Sequence, residues 1–237
     1  MSEFTQHKKS RVNMLVSLSH ALINNREKVS DLYKVYSDEI DKLIPSDIIL
    51  AVDHLMKEDI DLEDLKTAIN KLLNLVFKPI KDYKHTQAKE GSFLDYLVKN
   101  SEIAAHKLRT IGGDLKRYNK QKNQENAYLL KEAYMDLLPF VQVYTIKENV
   151  LFPIIEKAWG HFRCVKLMWA FHDDIRRDLK SIISLLDEPT EDLARINRLA
   201  GDISFRIMAI KFRDEEILFP EMLDTYYSGR TTRGHVE

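Results

Sequence analysis

The chain of 237 residues contains few of the residues that interrupt or cross-link a polypeptide. It has only seven glycines and six prolines, and no stretch alternates polar and apolar residues as strands do. Its single cysteine, Cys164, excludes an intramolecular disulfide and fits a reducing compartment. Because 44% of the residues are hydrophobic, the chain can bury a core. Together these features predict an all-α protein.

An excess of charge of one sign and long apolar runs are also missing. The 36 Lys and Arg balance 37 Asp and Glu, which argues against a nucleic-acid-binding surface. No segment approaches the roughly 20 apolar residues of a membrane span. The polar first residues, 1–11, lack the apolar centre of a signal peptide. We therefore expect a cytoplasmic protein that binds neither nucleic acid nor membrane.

The sequence predicts two domains, divided at a polar stretch that contains Gly91. Residues 1–86 read as a small domain of short helices, and residues 87–228 as four longer helices over about 93–120, 125–158, 161–187 and 190–226. Gly112 and Gly113 weaken the end of the first of these, and Pro153 and Pro220 should bend or open theirs. Short connections between long helices favour an up-down-up-down four-helix bundle.

Each of the four longer helices carries one apolar seam with helical spacing. The seams are Phe93, Leu97, Asn100, Ala104, Leu108 and Ile111; Tyr134, Leu137, Val141, Tyr144, Glu148, Leu151 and Ile155; Val165, Met168, His172, Ile175, Leu179, Ile182 and Leu186; and Phe205, Met208, Phe212, Glu215, Phe219 and Met222. One polar residue interrupts each seam: Asn100, Glu148, His172 or Glu215. The last three fall roughly 15–17 Å from one end of the bundle. We expect them to converge, because buried carboxylates need a hydrogen bond, a counter-charge or a metal.

Two segments of the chain repeat each other. Residues 147–153 read Lys-Glu-Asn-Val-Leu-Phe-Pro, and residues 214–220 read Asp-Glu-Glu-Ile-Leu-Phe-Pro. Both occupy the second helix of a predicted antiparallel pair, so Glu148 corresponds to Glu215. The next residue, Glu216, is expected to be exposed. Helix pairs that bring carboxylates and histidines to one level are how di-iron sites are built in bundles.

Three segments, in this order, resemble the hemerythrin-like (HHE cation-binding) family. They are residues 144–157 around Lys-Glu-Asn-Val-Leu-Phe-Pro, residues 165–176 around Met-Trp-Ala-Phe-His-Asp-Asp-Ile-Arg, and residues 208–220 ending in Glu-Glu-Ile-Leu-Phe-Pro. The likeness covers about residues 88–226. Residues 12–84 are similar to a small helical domain of unknown function that often precedes such bundles in bacteria.

The resemblance implies a bundle that binds two non-haem irons and acts in O2, NO or redox sensing and handling. It further implies that Glu148 is a bridging or terminal carboxylate, His172 the ligand of the third helix and Glu215 the carboxylate of the last helix. The chain departs from the family where Tyr144 and Lys211 stand at positions expected to hold ligand histidines. Asn100 stands where relatives often have an acid.

Two interpretations of the polar layer therefore stay open. Glu148, His172 and Glu215 either hold non-haem iron or another divalent ion, or form a buried salt-bridged layer that needs no metal. In the second case Lys211 can pair with Glu215. The corresponding functions are a metal-binding or formerly metal-binding sensor of O2 or NO, and a metal-free interaction or regulatory module with a protein partner or as a homodimer. An iron-dependent oxidoreductase or repair enzyme has less support, and no catalytic residue is assigned.

Overall fold

A computed structural model describes residues 3–24, 29–187 and 192–227, and within these ranges every regular element is helical. This confirms the predicted all-α class. The helices are α1 Glu3–Ile23, α2 Val29–Ile40, α3 Pro45–Leu55, α4 Leu62–Asp82, α5 Phe93–Lys120, α6 Gln124–Met135, α7 Leu138–Ile146, the π-helical turn π1 Lys147–Leu151, α8 Phe152–Ala158, α9 Cys164–Asp187, α10 Leu193–Arg213, the π-helical turn π2 Asp214–Leu218, and α11 Phe219–Tyr227. None of the described helices combines the length and the apolar composition that crossing a bilayer demands.

The backbone divides into two compact units, each made of segments that are separate in sequence. The first unit comprises the described residues of 1–88, 153–167 and 213–237, and the second those of 89–152 and 168–212. The first unit thus holds almost all of the predicted N-terminal domain together with two later segments. The predicted domains 1–86 and 87–228 stay a prediction.

The first unit begins its helices with local side-chain contacts. Pro45 opens α3, and the Asp47 carboxylate accepts the backbone N–H of Ile44 at 3.2 Å. Arg11 of α1 donates to the same carboxylate at 2.7 Å. Asp61 caps α4 by accepting two backbone N–H groups of its first turn. One apolar face of α4 is buried, through Leu65, Ala68, Ile69, Leu72, Leu73, Val76 and Ile80.

The second unit contains α5, α6, α7, π1 and most of α9 and α10, linked by hydrogen bonds between side chains. These bonds join α5 to the start of the α6–α7 connection, α6 to α9, α9 to α10, and α10 back to α5. The bonded pairs are Lys107 with Asp136, Lys131 with Asp187, Arg206 with Asp174, and Asn119 with Asn197. Each of these four chain segments therefore has hydrogen-bonded neighbours on two sides.

The helix predicted for residues 125–158 is divided into α6, α7, π1 and α8. The break between α6 and α7 falls just before Pro139, which lies in the first turn of α7. A proline has no N–H to donate to the preceding turn, so it begins a new helix here. In contrast, α5 runs through Gly112 and Gly113 to Lys120, with Leu108 and Ile111 buried beside them.

The second and third predicted seams are buried at every position, but half of the fourth is wrong. Phe205 and Met208 are 46% and 44% exposed, and the buried face of α10 carries Ile203, Ile207 and Ile210 instead. The cause is π2, which adds one residue to a helical turn. Counting back from Phe219 and Met222 at α-helical spacing therefore leads to Phe205 and Met208, which lie on the exposed face of α10. In the first seam only Phe93, at 43%, is exposed.

Candidate functional site

The two repeated segments share a local structure that standard helix periodicity does not contain. In π1 the backbone N–H of Phe152 donates to the carbonyl of Lys147, five residues earlier, and in π2 Phe219 donates to Asp214 in the same way. Each π turn ends directly before the Phe-Pro pair. The wider turn accommodates the proline ring and its missing N–H. This confirms that Pro153 and Pro220 mark a local opening of the helix.

The turn π1 presents Glu148 to a pair of residues on α9. The Nδ1 atom of His172 lies 2.8 Å from Glu148 Oε1, and the Arg176 Nη2 atom donates to Glu148 Oε2 at 2.7 Å. His172 and Arg176 are one turn apart on α9 and so reach the same carboxylate. His172 is fully buried and Glu148 is 5% exposed. We call Glu148, His172 and Arg176 the polar cluster.

The charges within the polar cluster follow from burial and from its hydrogen bonds. Burial lowers the pKa of His172 to about 3, aided by the nearby Lys147, and the bond to Glu148 only partly opposes this shift. Burial raises the pKa of Glu148, but the bonds from His172 and Arg176 outweigh it, so this pKa lies below its ordinary value. The contact between His172 and Glu148 is therefore a hydrogen bond from a neutral imidazole to a carboxylate.

This protonation state fixes which ring nitrogen of His172 carries the proton. The neutral imidazole has one N–H, and a carboxylate can only accept, so Nδ1 donates to Glu148. The Nε2 atom then holds a lone pair. It is buried and has no hydrogen-bond partner among the described residues.

Aromatic rings lie against the imidazole of His172. The Tyr144 ring is stacked on it, with 4.2 Å between centroids and 4° between planes. The Phe152 ring lies at 5.8 Å and is tilted by 13°. The Nζ atom of Lys147, itself buried, sits 4.7 Å from the centroid of the Tyr144 ring. Tyr144, which stands where a ligand histidine was expected, thus packs on the face of the imidazole.

The other candidate residues are less closely connected to the polar cluster. The half-buried Asn100 donates to the backbone carbonyl of Phe140 at 3.3 Å. Lys211 and Glu215 are both half-buried. Lys211 belongs to the second unit, and Glu215 belongs to the first. The structure brings Glu148 and His172 together, and a single layer that also includes Glu215 stays a prediction.

Two residues differ from what the sequence led us to expect. Arg176 had no predicted role, although its spacing of four from His172 is the signal that places both on one face of α9. Glu216 was predicted to be exposed, but it is 8% exposed and accepts a hydrogen bond from Lys81 at 2.5 Å. The extra residue in π2 places Glu216 on the buried face of the helix. There Lys81 of α4 compensates its charge.

The residues of the polar cluster do not fit a two-iron centre. Both carboxylate oxygens of Glu148 are already bonded, and His172 is the only imidazole of the cluster. Within the described ranges, no group of three or more His, Cys, Asp or Glu side chains is arranged to hold a metal ion. Two-iron sites need several carboxylates and histidines free to coordinate. Binding of one metal ion by Glu148, His172 and Glu215 stays a prediction.

Comparisons of the chain with family models, with curated proteins and with solved structures found no match. The likeness to hemerythrin-like proteins therefore depends on the three sequence segments given above.

Proposed function

We propose that the second unit is an up-down-up-down four-helix bundle of the hemerythrin-like type that works without metal, as an interaction or regulatory module. The observation that carries this proposal is the bonding of Glu148, whose two carboxylate oxygens accept from His172 and Arg176. Each oxygen of Glu148 thus has a protein donor, so this buried carboxylate is satisfied without a metal ion.

The bundle topology is supported by the hydrogen bonds between neighbouring helices. Asn100 contacts Phe140, whereas Lys107, which lies later in α5, contacts Asp136, which lies earlier in the next segment. The two segments therefore run in opposite directions. The same reversal relates Lys131 with Asp187 to Glu148 with His172. Such pairs are expected for antiparallel neighbours.

The absence of a metal requirement is supported by the charge balance around Glu148. A buried carboxylate lowers the free energy of unfolding unless a counter-charge and hydrogen bonds compensate it. Removing one partner of a buried ion pair costs on the order of 3–5 kcal/mol of stability. The guanidinium of Arg176 supplies a permanent positive charge and a directed N–H donor. The core of the second unit can therefore be stable with protein groups alone.

A second candidate function, a metal-dependent sensor of O2, NO or redox state, is favoured by one observation. The Nε2 atom of His172 has a buried lone pair with no partner among the described residues. Its Nδ1–H is held by a carboxylate, which is how proteins commonly orient a metal-binding histidine. In this case Glu148 orients His172 and does not itself need to bind the ion.

Metal content distinguishes the two candidates. Protein purified from iron-supplemented cells should contain well under one iron per chain by elemental analysis. Addition of a chelator should shift the melting temperature by less than about 2 °C, because no metal-binding energy is lost from the folded state. Stoichiometric metal and a large loss of stability on chelation would instead support the sensor.

Two double variants locate the site if metal is found. Glu148→Ala with His172→Ala should abolish binding, and full retention of metal would put the site elsewhere in the chain. Tyr144→His with Lys211→His restores imidazoles at the positions where the family resemblance implies ligands. This variant should raise iron affinity over the unmodified protein if the scaffold once held iron.

A further inference from the structure

An exposed apolar stripe runs along α5 in the second unit. It consists of Phe93, Tyr96 and Ile103, which are 43%, 64% and 48% exposed. Asn100 and Lys107 lie in the same stripe, since all five residues follow one another at steps of three and four. Both of these polar residues bond to the segment that contains the end of α6 and α7. The stripe therefore lies along the boundary between α5 and α7.

A second apolar stripe lies beside it, on α7 and π1. It consists of Pro139, Val143, Ile146 and Val150, again at steps of three and four. Pro139 is exposed and Val143 half-buried, while Ile146 and Val150 are 45% and 47% exposed. Asp136, which bonds α5, lies one such step before Pro139. Both stripes belong to the second unit, and we call them together the apolar face.

The two stripes match each other in height. The hydrogen bonds of Asn100 with Phe140 and of Lys107 with Asp136 fix the register of the two antiparallel segments. At an equal rise per residue, this register places each large apolar residue of α5 level with one of α7 or π1. The level pairs are Phe93 with Val150, Tyr96 with Ile146, and Ile103 with Pro139.

The apolar face bears no net charge. Residues 137–152 contain only two charged residues, Lys147 and Glu148, and both are buried. Beside the stripe of α5, Lys99 donates a hydrogen bond to Asp95 at 2.8 Å, so this charge is compensated within the chain. Anionic membranes and nucleic acids are bound through uncompensated basic residues, so neither fits this face. An apolar, uncharged protein surface does fit it, because the cores of protein interfaces are depleted of charge.

The size of the apolar face is that of an interface. The five residues for which exposed fractions are given above expose together on the order of 500 Å², near the upper limit for the largest patch of a typical monomer. With a polar rim, the face approaches the roughly 800 Å² that each partner buries in a standard interface. We propose that it binds the same face of a second copy of this chain, around a two-fold axis parallel to the helices. The proposal rests on the function proposed above, because it names the partner of the interaction module.

This two-fold axis uses the matched heights of the two stripes. It places α5 of each protomer against α7 of its partner, in the antiparallel register that already holds within one chain. Tyr96 then packs on Ile146 of the partner subunit, and Phe93 packs on Val150 of the partner subunit. Each large apolar side chain of the face is thereby removed from water, and the uncharged surface of α7 meets no unpaired charge.

Sedimentation equilibrium of the full-length protein tests the proposal. The mass should rise from the 27.8 kDa of one chain toward twice this value between about 1 and 100 µM, with a dissociation constant on the order of 10 µM. Ile146→Glu puts a charge in the centre of the interface and should raise this constant at least about 20-fold. Phe205→Glu, at an exposed apolar residue of α10 outside the apolar face, is the matched control and should leave it unchanged.

Disulfide cross-linking tests the geometry separately from the affinity. Two chains carry Tyr96→Cys or Ile146→Cys, and both also carry Cys164→Ala so that no native thiol reacts. After oxidation with copper phenanthroline, their mixture should give several-fold more covalent dimer than either chain alone, because the axis places position 96 beside position 146 of the partner. A mixture of Tyr96→Cys with Phe205→Cys should show no such gain.

Three results would overturn the proposal. One is a monomer up to about 100 µM, which would assign the apolar face to a different protein. Another is a dimer that Ile146→Glu does not weaken, or that Phe205→Glu weakens equally, because the interface would then lie elsewhere. The third is a cross-linked yield that mixing does not increase, which would contradict the two-fold axis.

Metal content tests the proposed function independently of this dimer. Stoichiometric metal in a dimeric protein would contradict the metal-free module and leave the interface standing. A metal-free monomer would contradict the interface alone.

Discussion

His172 is the residue whose chemistry the fold changes most. Imidazoles in water gain a proton near neutral pH, but burial holds the pKa of His172 at about 3. Its neutral ring donates one hydrogen bond to Glu148 and stacks on Tyr144. Arg176, which also bonds Glu148, supplies the charge that the imidazole does not. Because Arg176 supplies a charge and His172 a hydrogen bond, the carboxylate of Glu148 remains ionised in the core.

The first prediction concerns the stability of the protein as the pH falls. Unfolded His172 takes up a proton below about pH 6.5, whereas folded His172 does not until about pH 3. The unfolded state therefore binds more protons in this window, and stability decreases as the pH is lowered through it. Between pH 7 and pH 5 this residue should lower the free energy of unfolding by about 2 kcal/mol.

Urea unfolding at pH 7, 6 and 5 measures this effect. The decrease should be smaller by about 2 kcal/mol in His172→Phe than in the unmodified protein. His106→Gln, at an exposed position, should retain the full decrease. An identical pH dependence in His172→Phe and the unmodified protein would contradict a neutral buried imidazole.

At the scale of single elements, the turn π2 decides which face of α10 is buried. The turn π2 shifts α10 out of phase with α11, so Ile207 is 3% exposed while the adjacent Met208 is 44% exposed. Sequence periodicity instead placed Met208 in the buried seam. The turn π1, which ends directly before Phe152, holds Glu148 against α9, and the seam predicted at α-helical spacing stays buried through it.

Alanine substitutions of the two adjacent residues test this phase. Ile207→Ala removes buried methyl groups and leaves a cavity, so it should lower the free energy of unfolding by about 2–4 kcal/mol. Met208→Ala should change it by less than about 1 kcal/mol, since most surface substitutions have small effects. Chemical denaturation of both variants gives the comparison. A larger loss for Met208→Ala would restore the predicted seam and contradict the shifted face.

The glycines of α5 give a prediction of opposite sign. Gly112 and Gly113 lie inside the helix, and a Cβ atom added to either would contact nothing within 4 Å. Alanine has the higher helix propensity and restricts the unfolded chain, so each replacement should stabilise by about 0.5–1 kcal/mol. Thermal unfolding of Gly112→Ala and Gly113→Ala measures the gain.

Gly91 is the matched control for these two glycines. Its φ of 74° lies in the left-handed region, which alanine adopts only at a cost. Gly91→Ala should therefore destabilise by about 1 kcal/mol. A gain at Gly91, or losses at Gly112 and Gly113, would contradict these backbone assignments.

At the scale of the whole molecule, each compact unit is assembled from separate parts of the chain. The first unit joins the described residues of 1–88 with residues 153–167 and the described part of 213–237. Within it, α3 and α4 contact π2, and Lys81 pairs with Glu216. The C-terminal half of the sequence thus supplies core residues to the unit that contains the N-terminus.

This arrangement predicts how an isolated C-terminal half behaves. A fragment of residues 87–228 lacks α1 to α4, so buried residues of the first unit such as Ile155, Ile217 and Phe219 lose neighbours. The fragment should bind a hydrophobic dye and unfold at lower temperature, with less cooperativity, than the full chain. Cooperative unfolding of the fragment at the temperature of the full chain would instead support residues 87–228 as an autonomous domain.

The sequence by itself determined the helical class, the extent of α5 and the buried faces of the second and third seams. These follow from residue spacing within one helix, which is local information. The convergence of Glu148 with His172 was also predicted, because both interrupt seams that are buried throughout. The family likeness added the expectation of non-haem iron, and the polar cluster, with one imidazole and one carboxylate, does not supply the ligands of a two-iron centre.

Only the tertiary structure decided which side chains bond Glu148 and Glu216 and which face of α10 is buried. The choice of Arg176 for Glu148 and of Lys81 for Glu216 depends on which helices face each other, and that is set by packing between residues far apart in sequence. The phase of α10 depends on one extra residue in π2, which no periodic pattern reveals because a π turn breaks the period itself. The grouping of three separate segments into the first unit depends on the same long-range contacts. Local sequence determines where a helix forms, and packing against other helices determines which of its side chains are buried and which partners they bond.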